Sequence, residues 1–249
     1  MPYTVLSHGV SNAKQNNFMG KDILFEFIGT AMLILFGAGV CANVSLKNTK
    51  GHKGGWIVVT IGWGMAVFVA AFISAPYSGA HLNPAVTVAF AIVGSFKGNI
   101  IGYVIAQFLG AILGACLAFI MYKPHFDAEE DANVKLGVFC TSPAIKSTFY
   151  NFMSEVIGTF ALIFGVLMTA GAEIDGPLPV GLLIVAIGMA LGGATGYAIN
   201  PARDLGPRFA HFFLPVKGKR DSNWGYAWIP VVAPMVGCIL AALLYIVVV

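Results

Sequence analysis

Six stretches of this 249-residue chain are apolar over roughly the twenty residues that a helix needs to cross a hydrocarbon core of about 30 Å. They run from Ile23 to Ser45, Trp56 to Ser74, Ile100 to Tyr122, Phe149 to Thr169, Leu178 to Leu191 with its flanks, and Tyr226 to Val249. Lipid offers no hydrogen-bond partner, so a spanning chain must satisfy its backbone internally, as helices or as a closed barrel. Runs of this length select helices. Composition agrees: 58% of the residues are hydrophobic and only 10% charged, where soluble domains carry about a quarter. Glycine, 30 residues here, is enriched in membrane helices and lets their backbones approach closely. The net charge of +3 is too slight to draw nucleic acid. Cys41, Cys116, Cys140 and Cys238 have no metal-ligand spacing and read as small buried hydrophobes, with no metal site and no cofactor expected. The first twenty residues lack a long apolar run, which argues against a cleavable signal peptide and leaves the first span as the insertion signal.

Polar connections, LKNTKGHKGG, KPHFDAEEDANVK, GAEIDGP and PVKGKRDSN, separate the spans. Two further apolar segments, Asn83 to Val93 and Asn200 to Phe213, are too short to cross; the first would reach roughly 16 Å as a helix. Each opens on Asn-Pro-Ala, within SGAHLNPAV (Ser78 to Val86) and GYAINPARD (Gly196 to Asp204). Such segments are candidates for re-entrant half-helices. The two halves of the chain also resemble each other. FEFIGTAMLILFG, from Phe25, aligns with SEVIGTFALIFGV, from Ser154, and pairs Glu26 with Glu155. Three spans per half is an odd number, so the second copy enters the membrane inverted. The whole chain, 1–249, then reads as one transmembrane domain with halves near 22–122 and 147–249. In inverted repeats the working site lies where the halves meet, near the midplane.

Asn-Pro at a helix start is ordinarily a cap followed by the first helical residue. Inside a membrane that reading is incomplete, because exposed N–H groups there must be buried in protein or line a polar cavity. Two such starts in inverted halves imply a shared polar path. Half a positive charge at each N-terminus would repel cations, hydronium included, and orient a passing water. The amides of Asn83 and Asn200 would each offer a donor to a passing oxygen.

Taken together, Glu26-Phe-Ile-Gly-Thr, Ser78-Gly-Ala-His-Leu-Asn-Pro-Ala-Val-Thr, Glu155-Val-Ile-Gly-Thr and Asn200-Pro-Ala-Arg-Asp resemble the aquaporin family (major intrinsic proteins), from Asp22 to Val249. The resemblance implies an all-α membrane fold of six tilted transmembrane helices plus two re-entrant half-helices, a pore in each subunit, and a homotetramer in a bacterial cell membrane. Asp204 directly after Arg203 resembles the glycerol-facilitator branch; Arg208, Pro230-Val231 and Phe119 fit that branch too. Position by position, the safer reading of Asp204 is an exposed or salt-bridged helix residue.

The family's narrowest ring, its selectivity filter, falls by motif spacing on Trp63, Gly188, Tyr197 and Arg203. Taken singly, the two aromatics read as interfacial-belt residues, and Arg203 as a snorkelling side chain. Yet a charge at such depth marks function by default. Trp63 and Tyr197 would form an apolar corner, with Arg203 binding hydroxyls on the opposite side through its fork of donors. Gly188 would leave open width. Backbone carbonyls of Gly79, Ala80 and His81, and of Gly196, Tyr197 and Ala198, would supply acceptors along the path. That set suits glycerol, greasy on one face and hydroxylated on the other, with water as a further solute. Glycerol facilitators usually carry phenylalanine where Tyr197 stands, so other neutral solutes (undissociated lactic acid, dihydroxyacetone, hydrogen peroxide) remain open alternatives.

Glu26 and Glu155 admit two readings. Intramembrane carboxylates serve proton relays in coupled transporters, or they accept hydrogen bonds from the irregular backbone leading into each half-helix. Their symmetric placement favours the structural role, and His81 likewise reads as a structural hydrogen-bonder rather than a gate. LGGATG lacks the Gly-Lys-Ser/Thr of a phosphate loop. No nucleophile–base pair stands out, so no enzyme is expected. The rivals to a channel are a proton-coupled transporter and a structural junction protein. One conflict remains within the sequence. The resemblance puts both termini in the cytoplasm, yet the Lys and Arg residues cluster in connections that would then be external, against the positive-inside rule.

Overall fold

Residues 20–169 and 176–249, the part described in this computed structural model, form nine α-helices and no strands. They are α1 (Lys21–Ser45), α2 (Trp56–Ser78), α3 (Pro84–Ile92), α4 (Ile100–Ala128), α5 (Ala132–Phe139), α6 (Thr148–Thr169), α7 (Pro177–Leu191), α8 (Pro201–Phe213) and α9 (Ile229–Val248). The leader and most of GAEIDGP fall outside the described residues, so the expectations about them do too.

Five of these helices, α1, α2, α4, α6 and α9, are long and apolar enough to span a membrane. The span expected from Leu178 to Leu191 is α7, whose 15 residues reach only about 22 Å. Gly192 and Gly193 follow at once, in a turn that stops the helix. The half-helices α3 and α8 have 9 and 13 residues and start at Pro84 and Pro201, as the Asn-Pro signals predict.

KPHFDAEEDANVK departs from its reading as a loop. α4 continues through it to Ala128, helped by an i,i+4 pair between Lys123 and Asp127. α5 then starts behind Asp131, whose carboxylate accepts the Asn133 N–H at 2.8 Å. With the α1–α2 loop and residues 214–228, these elements make a cap on one face. His125 meets the Lys47 carbonyl at 3.1 Å, Lys47 pairs with Glu130 at 3.3 Å, and Arg220 donates to Asn133 at 2.6 Å. Phe119, Phe126 and Phe139 stack beneath it, so Phe119 belongs to the core under the cap rather than to the path.

Each half repeats one arrangement: α1 packs between α2 and α4, and α6 between α7 and α9. The half-helices cross over. α3 packs chiefly on α9, and α8 chiefly on α4, so each is seated on the last helix of the other half. α2 and α7 join the halves at Gly64 and Gly181, each nineteen residues before its Asn. A Cβ on Gly64 would stand 2.7 Å from the Gly181 carbonyl, and one on Gly181 would stand 2.8 Å from that of Gly64. Only glycine fits this crossing. Large side chains face outward: Phe72, Ile101 and Val247 are 67%, 73% and 81% exposed, as suits a surface not meant for water.

Candidate functional site

α3 and α8 meet N-terminus to N-terminus, and their caps are reciprocal. Asn83 Oδ1 accepts the Ala85 N–H at 2.9 Å, and Asn200 Oδ1 accepts those of Ala202 and Arg203 at 3.0 and 3.1 Å. Pro84 and Pro201 occupy the first helical positions, and Ala85 and Ala202 are fully buried where the helix ends approach. Asn83 Nδ2 donates to the Ile199 carbonyl and Asn200 Nδ2 to that of Leu82, both at 2.9 Å. One hydrogen of each amide is therefore spent across the pseudo-two-fold axis. The second hydrogen of each amide donates to no described residue.

The segments leading into the half-helices are shaped by the two buried glutamates. Glu26 accepts from the N–H groups of His81 (2.9 Å) and Leu82 (2.7 Å), from Ser78 Oγ (2.7 Å) and from Gln107 Nε2 (2.7 Å). Glu155 accepts from the N–H groups of Ala198 (3.0 Å) and Ile199 (2.8 Å), and from Thr195 Oγ1 (2.6 Å). Ser78 and Thr195 each stand five residues before their Asn; they complete the pattern, and the repeat offset alone would have revealed them. Positive φ at Gly79, Ala80 and Leu82 is matched at Gly196, Tyr197 and Ile199. Glycine takes this conformation freely; the other four residues are held in it against their preference. With the N–H groups bound to the glutamates, the carbonyls of Gly79, Ala80, His81, Gly196, Tyr197 and Ala198 accept no hydrogen bond from any described residue.

The fourth residue after each Asn braces its own half differently. In the first it is Thr87, whose Oγ1 meets His81 Nδ1 at 3.1 Å and accepts from Gln107 at 3.0 Å. His81 is thus held as a structural hydrogen-bonder, packed among Phe90, Phe96 and Tyr103. In the second half the same position is Asp204, fully buried. Its Oδ2 accepts the Thr141 N–H (2.8 Å) and hydroxyl (2.6 Å), and its Oδ1 accepts Arg208 Nε (2.8 Å) and Nη2 (2.7 Å). Arg208 spends its other donors on the carbonyls of Ser222, Asn223 and Thr141. Asp204 is not exposed; the salt-bridged reading is the one observed, and the pair's remaining bonds, to Thr141, Ser222 and Asn223, tie α8 to the cap. Thr141 has no sequence signal; only the fold brings it here.

Trp63, Tyr197 and Arg203 come together and are nearly buried, at 4%, 5% and 8% exposure. Arg203 does not face Trp63 across a gap, as the opposite-side expectation had it. Its guanidinium carbon lies 3.8 Å over the indole ring, a cation–π stack that leaves the planar edge of donors free of any described partner. Gly188 does not leave open width either. A Cβ there would meet Tyr197 Cζ at 2.9 Å and its hydroxyl at 3.0 Å, so the phenol itself fills that place. Trp56 closes this corner, donating to the Gly188 carbonyl at 2.9 Å and meeting Tyr197 edge-on at 5.7 Å. The Tyr197 hydroxyl is buried without a partner among the described residues.

A cavity of about 410 Å³ runs past these groups. Leu33, Val67, Leu162, Val166 and Ile184 form an apolar wall; Asn83, Asn200, Arg203 and the segments 79–82 and 197–199 form a polar one. Gly188 and Gly196 lie outside its lining. Among the described residues no cluster of His, Cys, Asp and Glu could hold a metal.

The profile of the family described as "Major intrinsic protein" matches residues 12–245. A "Probable glycerol uptake facilitator protein" of Thermotoga maritima is 51% identical over 226 residues, covering 89% of this chain and 97% of that one. A "Glycerol uptake facilitator protein" of Bacillus subtilis is 54% identical over 216 residues, covering 85% and 79%. The structure of the aquaglyceroporin from Plasmodium falciparum superposes with a TM-score of 0.81 at 34% identity, covering 90% of this chain and 94% of that one. The chain is a multi-pass integral membrane protein and belongs to the major intrinsic protein family.

Proposed function

We propose that the protein is a passive channel for glycerol, similar small uncharged solutes and water, and that it excludes protons and ions. One observation carries this reading: the cavity is lined by apolar side chains together with unpaired carbonyls and amide donors. A polyol can slide its carbons along the first and exchange hydroxyl partners along the second, at each step replacing one hydrogen bond by another. Two helix N-termini place positive potential at the midplane and Arg203 adds to it toward one end, which opposes cations. In this reading Trp63, Gly188, Tyr197 and Arg203 form the selectivity filter, and the cap face is the outer one. A homotetramer fits the exposed apolar faces of α2 and α7, where Ile57 and Leu182 are 64% and 60% exposed. The site involves no catalysis.

Glycerol and water flux into proteoliposomes tests the proposal. Glycerol should equilibrate with weak temperature dependence and no pH gradient; uphill, proton-driven accumulation would point instead to a coupled transporter. In the same assay Tyr197→Phe should leave the fluxes of glycerol and of undissociated lactic acid unchanged, because its hydroxyl lies behind the ring against α7. A shift in either would put the phenol in the path. Arg203→Ala should raise proton or cation leak by roughly 100- to 1,000-fold, since a unit charge a few ångströms away at intermediate dielectric adds about 3–4 kcal/mol to the barrier. Unchanged ion exclusion would leave the two helix N-termini to account for it alone.

A further inference from the structure

The repeat makes the two ends of the cavity comparable residue by residue. Counting back from each Asn, Trp63 corresponds to Val180; counting forward, Arg203 corresponds to Val86. Both valines line the cavity. Only one end therefore carries a large aromatic stacked on a charge. The aligned Glu26 and Glu155 extend the comparison to the first helix of each half, where Gly37 of α1 corresponds to Val166 of α6. Val166 stands in the cavity wall, whereas Gly37 is a recess. A Cβ at Gly37 would collide with Cζ3 and Cη2 of Trp63 and stand 2.5 Å from Cε3. One turn along the same helix, the Cys41 sulfur accepts the Trp63 indole N–H at 3.3 Å. Sulfur is a weak acceptor, but here it is largely buried and is the one described group that takes this donor.

From this arrangement we propose that Gly37 and Cys41 are positioning residues for solute specificity, acting through Trp63. The proposal rests on the channel reading above and on Trp63 lying at the selective end. Gly37 admits the benzo ring into α1, Cys41 turns the indole N–H away from the path, and Arg203 closes over the exposed ring face. The indole then presents carbon alone to a solute, and every donor at this end comes from the guanidinium edge. A free indole N–H would offer a second donor on the apolar side and hold hydroxyls in a misaligned pose. The aromatic corner is selective because a helix that does not itself line that corner fixes its rotation.

Five variants in proteoliposomes, Trp63→Phe alone among them and each checked for monodisperse folding, test this through the glycerol-to-water permeability ratio. Cys41→Ala should lower the ratio by about fivefold, the scale of one lost hydrogen bond. Cys41→Ser, which keeps an acceptor at this place, should recover most of that ratio. Gly37→Ala should reduce glycerol flux by roughly tenfold or more, because the indole is pushed into the path. In a Trp63→Phe background Cys41→Ala should have no further effect, whereas a general packing role for Cys41 would persist there. An unchanged ratio in Cys41→Ala, or the same loss with and without Trp63, overturns the inference while the channel reading stands. A wild-type protein that conducts no glycerol above bare liposomes overturns the channel reading itself.

Discussion

Glu155→Ala should abolish glycerol flux, with a loss of roughly 100-fold or more, and should destabilise the protein by about 2–6 kcal/mol. The reasoning is a count of donors. In the wild type, one carboxylate takes the N–H groups of Ala198 and Ile199 and the hydroxyl of Thr195, all within 3.0 Å. Removing it leaves two backbone N–H groups without partners inside the membrane, each worth about 1–3 kcal/mol when buried and unsatisfied. The segment can regain partners only by rotating its peptides, which turns the carbonyls of Tyr197 and Ala198 away from the path. Loss of stability and loss of conduction are then the same event. Glu26→Ala should behave similarly, since it frees the N–H groups of His81 and Leu82 in the same way. Flux together with thermal unfolding in detergent checks both variants. A Glu155→Ala protein that conducts glycerol normally would falsify the bracing role.

The second large effect is expected at Asp204. Arg208 and Asp204 are both 0% exposed, and the carboxylate is the only anion that Arg208 meets among the described residues. Asp204→Ala leaves a buried guanidinium with carbonyl partners but no counter-charge, a loss of about 3–5 kcal/mol by analogy with other broken buried pairs. Thr141 loses both of its bonds to Oδ2 at the same time. The double variant Asp204→Leu/Arg208→Met removes both charges and should be more stable than Asp204→Ala. Thiol-reactive dye uptake during heating reads this out, since Cys41, Cys140 and Cys238 are buried until the protein opens. Equal melting of the single and double variants would mean that the ion pair contributes little to holding the cap.

The parts of this fold that were legible in the sequence are those that lipid dictates. A bilayer requires apolar runs of a given length and tolerates a helix start at the midplane only under special chemistry, so the spans and both half-helices stood out. KPHFDAEEDANVK did not, because α5 and the end of α4 lie beyond the apolar runs and are helical for ordinary reasons of capping and charge spacing. Asp131 ahead of Ala132 was the available signal. In the site, residues tied to the repeat are readable: Asn83 and Asn200, Glu26 and Glu155; the common offset from each Asn is the signal that marks Ser78 and Thr195. Residues that matter through contact alone were not. Nothing in a list of letters places Cys41 under an indole, seats Thr141 on Asp204, or lays the Tyr197 ring over Gly188.

The reciprocal bonds between Asn83 and Ile199 and between Asn200 and Leu82 also bear on how the chain is made. A ribosome delivers the first half to the membrane well before Asn200 exists. Until then the Asn83 amide has no Ile199 to reach, and α3 lacks α9 to rest on. The first half is thus an unfinished intermediate that waits for its inverted copy. Biogenesis must shelter one half-helix through the synthesis of more than a hundred further residues, and a polypeptide that stops after α4 cannot be a smaller pore.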